Sequence, residues 1–203
     1  MLRIGIFGGT FSPPHNGHIY IAREAMKKAR LDKMVFVPCG NPYHKKAPVT
    51  VDAKQRLEMV RLAIDGEAGF EICDIEVGLK EPSYTARTLE KLQKIYPQDR
   101  LCFLVGGDSL LDMEGWYHPE EIFKKAEIIV AKRGGMDSAE INAAAQSYRS
   151  KYGADIKIIQ LEPIDVSASD IRERLRCGYD AKDMISERVL KYIKENKIYE
   201  DSI

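Results

Sequence analysis

Apolar residues along the chain fall into two alternating patterns. Short runs rich in Val, Ile, Leu and Phe occur at 3–7, 34–38, 70–75, 101–105, 128–131 and 156–160, bounded by glycine, proline or charge. Runs of this kind predict strands covered on both faces, as in a parallel sheet. Between them, apolar residues recur three or four apart: Ile19, Ala22, Met26 and Ala29; Leu57, Val60, Ala63 and Ile64; Leu89, Leu92 and Ile95. That spacing places each set on one face of a helix. Residues 138–152 predict another helix, with Gly153 as its stop. Strands alternating with helices predict an α/β fold, a doubly wound and mainly parallel sheet with helices on both faces. From about residue 167 to 203 the pattern is helical with no further strand. One domain over 1–203, with a small C-terminal helical part, accounts for the whole pattern.

Composition narrows the chemistry. At 203 residues the chain is long enough to hide roughly 70% of its unfolded surface. Lys plus Arg number 31 and Asp plus Glu number 31, a net charge of zero. That balance speaks against a general nucleic-acid or membrane-surface binder, so neither partner is expected. The cysteines, Cys39, Cys73, Cys102 and Cys177, lack the close pairs of zinc and redox motifs and read as reduced thiols. No charged-then-apolar leader precedes Leu2, and no apolar run approaches the roughly 20 residues that span a bilayer. A cytoplasmic location is expected, with no metal site built from protein ligands.

Ligands of doubly wound sheets gather at the carboxyl ends of the strands, and candidate chemistry stands there. The first predicted strand runs into Gly8-Gly9-Thr10-Phe11-Ser12-Pro13-Pro14-His15-Asn16-Gly17-His18, with a helix beginning near Gly17 or His18. Adjacent glycines allow backbone amides to approach an anion, and a helix N-terminus adds unpaired donors and partial positive charge. His15 and His18, three apart, can face one side, and near phosphates their cationic forms are favoured. The Gly-Lys-Ser/Thr ending of a P-loop and the Gly-x-Gly-x-x-Gly dinucleotide fingerprint are both missing. Asp32 precedes the second strand instead of ending it, which makes a poor ribose-binding acid.

Near the other end, Ser167-Ala168-Ser169-Asp170-Ile171-Arg172 reads as an N-capped helix with Ile171 and Leu175 inward. A plain capped helix explains this segment by itself. The alternative is a second anion clamp, in which an arginine fork engages two phosphate oxygens.

His15-x-Gly17-His18 after Gly8-Gly9-Thr10-Phe11 resembles the signature of the H-x-G-H nucleotidyltransferase superfamily. More closely, the stretch resembles the bacterial nicotinate mononucleotide adenylyltransferases, whose fold is Rossmann-like. Ser12 departs from the family, which usually has Asp there. The Ser167-to-Arg172 run resembles the family's Ile-Ser-Ser-Thr-x-Ile-Arg motif, with Ala168 and Ser169 replacing its second Ser and its Thr. Asn41-Pro42-Tyr43-His44-Lys45-Lys46 resembles a Pro-x-His-Lys loop, and Ser83-Tyr84-Thr85 a Ser-Tyr-Thr segment. Asp108 after Gly106-Gly107, Trp116, and Arg133 before Gly134 fall in the family's order.

The resemblance implies transfer of the adenylyl group of ATP to nicotinate mononucleotide, giving nicotinate adenine dinucleotide and pyrophosphate in NAD biosynthesis. It implies His18, His15 and Arg172 as catalytic groups. Gly8, Gly9, Thr10, Phe11, Ser167 and Ser169 would join them around ATP, and Mg2+ would be carried mainly by the ATP phosphates. Lys45, Tyr84, Thr85, Asp108, Trp116 and Arg133 would hold the acceptor. A phosphate acceptor, with its second ionisation near pKa ~6, is already a nucleophile at neutral pH and needs no general base. This reading requires His18 and Arg172 to share one cleft. Competing readings are a different acceptor, such as nicotinamide mononucleotide or a pantetheine phosphate, and a non-catalytic nucleotide sensor. Oligomeric state is left open, a homo-oligomer included.

Overall fold

The structure, a computed structural model, describes residues 1–42, 51–132, 134 and 138–199. Among these residues six strands form one sheet: β1 (Arg3–Gly9), β2 (Lys33–Pro38), β3 (Phe70–Ile72), β4 (Arg100–Gly106), β5 (Ala126–Lys132) and β6 (Ile156–Gln160). Their order is β3-β2-β1-β4-β5-β6. Every pairing is parallel, so the expected mainly parallel sheet is wholly parallel here. The helices are α1 (Asn16–Ala29), α2 (Ala53–Ile64), α3 (Thr85–Ile95), α4 (Gly107–Asp112), α5 (Pro119–Lys125), α6 (Ser138–Tyr152), α7 (Ala168–Arg176) and α8 (Glu187–Glu195).

Side chains two apart on a strand share a face, and the sheet sorts them cleanly. Ile4, Ile6, Val35, Val37, Leu101, Phe103 and Ile128 pack with Leu89, Leu92, Ile122 and Ile141 of α3, α5 and α6. Met34, Phe36, Cys102, Leu104, Ile129 and Ala131 pack on the other face with Ala22 and Ala25 of α1 and Val60 and Ile64 of α2. The chain winds from β1 outward to β3, then returns to β4 beside β1 and proceeds to β6. Strand order therefore reverses between β1 and β4, where a crevice opens beyond the carboxyl ends.

The C-terminal helices build a third cluster, in which Ile171, Ile185, Val189 and Ile193 pack with Met59 of α2. They also hold the start of α1. The Asn16 backbone N–H donates to the Met184 carbonyl at 2.9 Å, and Asn16 Nδ2 donates to the Asp183 carbonyl at 3.1 Å.

Three local expectations are corrected. β3 ends at Ile72, short of residue 75, because the chain leaves the sheet edge into a turn closed by Val77 N–H on the Asp74 carbonyl at 2.8 Å. Ile95, placed on the buried face by its spacing, is 52% exposed, since the last turn of α3 carries it clear of the sheet. The buried face of α2 centres on Arg56, Met59, Val60 and Ile64, with Leu57 and Ala63 at its margins. An arginine thus occupies an inward position. Asp32 has a structural part, accepting the Arg3 backbone N–H at 2.6 Å.

Candidate active site

The loop from β1 to α1 is a buried part of the molecule, not a surface tip. Phe11 is 2% exposed and His15 is 9% exposed. Phe11 takes a left-handed backbone, φ 49°, which costs a non-glycine residue about 1–2 kcal/mol. Ring packing offsets that cost: Phe11 meets Phe7 edge-on at 5.5 Å, Phe36 at 5.8 Å and His18 at 5.0 Å. A Cβ on Gly9 would stand 2.9 Å from the Phe11 ring. Gly9 is therefore needed to seat this ring, whereas a Cβ on Gly8 would make only ordinary contact, with Phe103 at 3.7 Å. The two glycines, read from sequence as one anion-approach feature, have different parts.

α1 begins at Asn16, with His15 as its N-cap. The His15 backbone N–H donates to His18 Nδ1 at 3.1 Å. His18 Nδ1 is therefore an acceptor, and the ring hydrogen belongs on Nε2, the nitrogen from which His18 can donate to a ligand. The two imidazoles lie 3.7 Å apart between centroids. Gly17 explains the spacing of the motif, since its Cβ would fall 2.9 Å from His15 Nδ1 and 3.0 Å from Cε1. Gly17→Ala is expected to push the His15 ring aside and lower kcat by roughly ten- to a hundredfold, the scale of an ångström misplacement. Steady-state kinetics beside a thermal melt checks this, and an unchanged kcat would show that the place of His15 does not matter.

Arg172 of α7 reaches the same loop. Its Nη1 donates to the Ser12 carbonyl at 2.8 Å and its Nη2 to Ser169 Oγ at 3.1 Å. Ser167 Oγ accepts the Asp170 backbone N–H at 3.1 Å, the N-cap expected of it. The C-terminal segment closes the grip: Tyr199 Oη and Ser12 Oγ lie 2.9 Å apart, hydrogen bonded. Burial pushes the Tyr199 phenol up to about 12, so it stays a neutral hydroxyl. Ser12, which stands where the resembling family usually has Asp, thus holds two C-terminal side chains, one through its carbonyl and one through its hydroxyl. Sequence reading missed Tyr199, because nothing in a terminal tyrosine announces a partner so distant.

Beside the loop, at the carboxyl ends of β1, β2 and β4, lies a cavity of about 270 Å³. Its walls include Gly8, Gly9, Thr10, Cys39, Glu76, Thr85, Thr88, Phe103, Ser109 and Trp116. Of the acceptor residues expected from sequence, Thr85 and Trp116 line it, Trp116 standing edge-on to Phe103 at 6.3 Å. Tyr84 is the N-cap of α3, and its ring stacks on Tyr117 at 4.2 Å with the Arg87 guanidinium 5.3 Å from each ring. The ring braces the wall, and the backbone of this segment is the part expected from sequence to meet the acceptor. Asp108 sits exposed in the first turn of α4, one residue before Ser109. Lys45 and Arg133 lie outside the described residues. Burial pushes the Cys39 thiol up to about 11, so it is a wall of the cavity and not a nucleophile.

A larger groove of about 860 Å³ opens at the amino ends of β4 and β5. There Glu127 pairs with Arg3 at 2.9 Å and Arg100 at 3.1 Å, and Arg100 also pairs with Asp155. Its charges satisfy one another, and it lies at the wrong end of the sheet for a doubly wound fold. The smaller cavity lies at the end of the sheet where doubly wound folds hold their ligands.

A six-stranded doubly wound sheet whose first loop leads to paired histidines and is bonded by a C-terminal arginine is the arrangement that the resemblance to nucleotidyltransferases implies. The family described as cytidylyltransferase-like matches residues 6–174. A probable nicotinate-nucleotide adenylyltransferase of Clostridium tetani is 39% identical over 199 residues, covering 98% of this chain and all of the relative. Its counterpart in Carboxydothermus hydrogenoformans is 39% identical over 197 residues, 97% of this chain and 98% of the relative. The chain belongs to the cytidylyltransferase-like family and, within it, to the nicotinate-nucleotide adenylyltransferases. The fold is shared with Plasmodium falciparum nicotinic acid mononucleotide adenylyltransferase complexed with NaAD, at TM-score 0.80 and 19% identity over 98% of both chains. The same protein complexed with APC aligns at TM-score 0.78, again at 19% identity over 98% of both chains. Among the described residues no helix is long and apolar enough to cross a membrane.

Proposed function

We propose that the chain transfers the adenylyl group of ATP to nicotinate mononucleotide, releasing pyrophosphate and forming nicotinate adenine dinucleotide. The observation that carries this reading is the bond from Arg172 to Ser12, in the loop that leads to His15 and His18, while Gly8, Gly9 and Thr10 of the same stretch line the small cavity. The cavity lies near the lower end of ligand pockets, roughly 300–1,000 Å³, and suits the acceptor. ATP would lie along the loop, its phosphates facing His18 Nε2, the α1 N-terminus and the free edge of the Arg172 fork. The acceptor phosphate supplies the nucleophile, so the protein has two tasks: aligning the substrates and stabilising charge as pyrophosphate leaves.

Imidazole, guanidinium and amide donors suit phosphate oxygens and not a hard cation. This agrees with Mg2+ being carried by the triphosphate. When bound, the ion would neutralise phosphate charge. Trp116 offers an aromatic face to a pyridine ring, and the amino end of α3 at Thr85 offers amides to its carboxylate.

The decisive assay incubates the protein with ATP, Mg2+ and either nicotinate or nicotinamide mononucleotide, following pyrophosphate and dinucleotide together. Turnover is expected with both products in equal amount, faster for the nicotinate form, and lost when the metal is chelated. Pyrophosphate from neither acceptor would leave a nucleotide-binding protein without this chemistry. A preference for the amide would move the acceptor assignment and keep the reaction.

A further inference from the structure

One buried charge has no part in the chemistry above. Arg56 of α2 is 1% exposed, and a buried ion is tolerated only when its hydrogen bonds are met. Burial pulls its guanidinium below the ordinary arginine value. Three backbone carbonyls from three separate segments receive its fork. Nη1 donates to Thr10 in the β1–α1 loop at 2.9 Å, Nη2 to Gly40 after β2 at 3.2 Å, and Nε to Val51 ahead of α2 at 3.2 Å.

Each of the first two contacts adjoins the site. In the trans peptide between Thr10 and Phe11, carbonyl and N–H point opposite ways. The grip on the Thr10 carbonyl therefore turns the Phe11 N–H away from Arg56. At Gly40, the N–H donates to Glu76 Oε2 at 3.3 Å while its carbonyl faces Arg56. A Cβ on residue 40 would stand 2.0 Å from the Glu76 backbone carbonyl oxygen, so only glycine fits against this stretch of backbone. Glu76 Oε1 in turn accepts from Thr88 of α3 at 2.6 Å. A continuous line of bonds thus runs from Thr10 through Arg56, Gly40 and Glu76 to Thr88. Thr10, Glu76 and Thr88 all line the cavity.

We infer that Arg56 is a positioning residue, which sets the separation and orientation of the nucleotide loop relative to the acceptor cavity without touching either substrate. The inference rests on the adenylyl-transfer reading. Its consequence is kinetic: with the fork removed, each substrate still binds, but the two no longer meet in line.

The test replaces Arg56 with lysine, which keeps the charge but cannot span three carbonyls with one ammonium. Thermal melting, calorimetric ATP stoichiometry and full kinetics for both substrates are measured on the same preparations. Arg56→Lys is expected to melt cooperatively and bind one ATP per chain, with both KM values within about threefold of the parent. Turnover per ATP-competent site is expected to fall by about tenfold or more, toward ~10². A purely structural arginine would lower the melting temperature or the competent fraction and leave turnover per competent site unchanged. That result, within about twofold of the parent, overturns the inference. If the lysine variant does not fold, the neutral Arg56→Gln takes its place. If neither melts cooperatively, Arg56 is a folding residue and the inference is again overturned. A parent that forms no dinucleotide overturns the adenylyl-transfer reading itself and takes this one with it, whereas an active parent with an unaffected variant overturns this one alone.

Discussion

Replacing His18 by alanine is expected to lower turnover by roughly 10²–10³, the usual consequence of losing one preorganised donor to developing charge. The fold should survive. The ring is only half-buried, and the bond it accepts from the His15 amide is worth about 1 kcal/mol. In a chain of this size that corresponds to a melting shift of about 2–4 °C. His18→Asn separates the two parts, since an amide oxygen can still accept from the His15 N–H while the Nε2 donor is gone. Kinetics with saturating ATP and acceptor, set beside melting curves for both variants, provide the check. Parental turnover in a folded His18→Ala protein would remove the imidazole from the mechanism.

Arg172→Lys should be nearly as damaging despite conserving charge. The guanidinium carries five N–H donors, and two of its nitrogens already bond Ser12 and Ser169. The rest of the fork can meet phosphate in the same pose. A lysine ammonium is a single point on a flexible stem and cannot do both. The expected loss is about 10² in kcat/KM for ATP, with α7 intact because Ser167 still caps it and Ile171 is still buried. The measurement is kcat/KM with ATP varied at saturating acceptor. A lysine variant with the parental value would show that charge alone suffices and that the fork is unused.

Much of this fold could be read from the chain. Six buried apolar runs and the helices between them follow from periodicity, and the 138–152 helix with its Gly153 stop appears where expected, Gly153 at φ 64°. Ser167 caps α7 as its position suggests. What escaped has a common physical cause: it depends on contacts between residues far apart in sequence. Arg56 reads as a solvated arginine on an amphipathic helix until the loops that offer it carbonyls are folded around α2. Gly9 and Gly17 each make room for a neighbouring ring, Phe11 and His15, which only the folded loop reveals. Tyr84 lies beside ligand-facing residues in sequence, yet the segment bearing Tyr117 captures its ring. β3 was drawn too long because an edge strand and the extended chain leaving it look alike in apolar pattern.

The dependence of the first loop on the last helices also bears on how the protein comes into being. Ser12 is gripped by residues 160 and 187 positions downstream, farther along the chain than any strand pairing, the longest of which joins Arg3 to Arg100. Closing so long a loop adds only modestly to the entropic cost already met by the β1–β4 pairing, but it must wait for the later residues to exist. During synthesis the strands up to Gln160 precede the arginine and tyrosine that grip Ser12. A nascent chain that has emerged only as far as β6 therefore lacks both side chains that hold Ser12 in place.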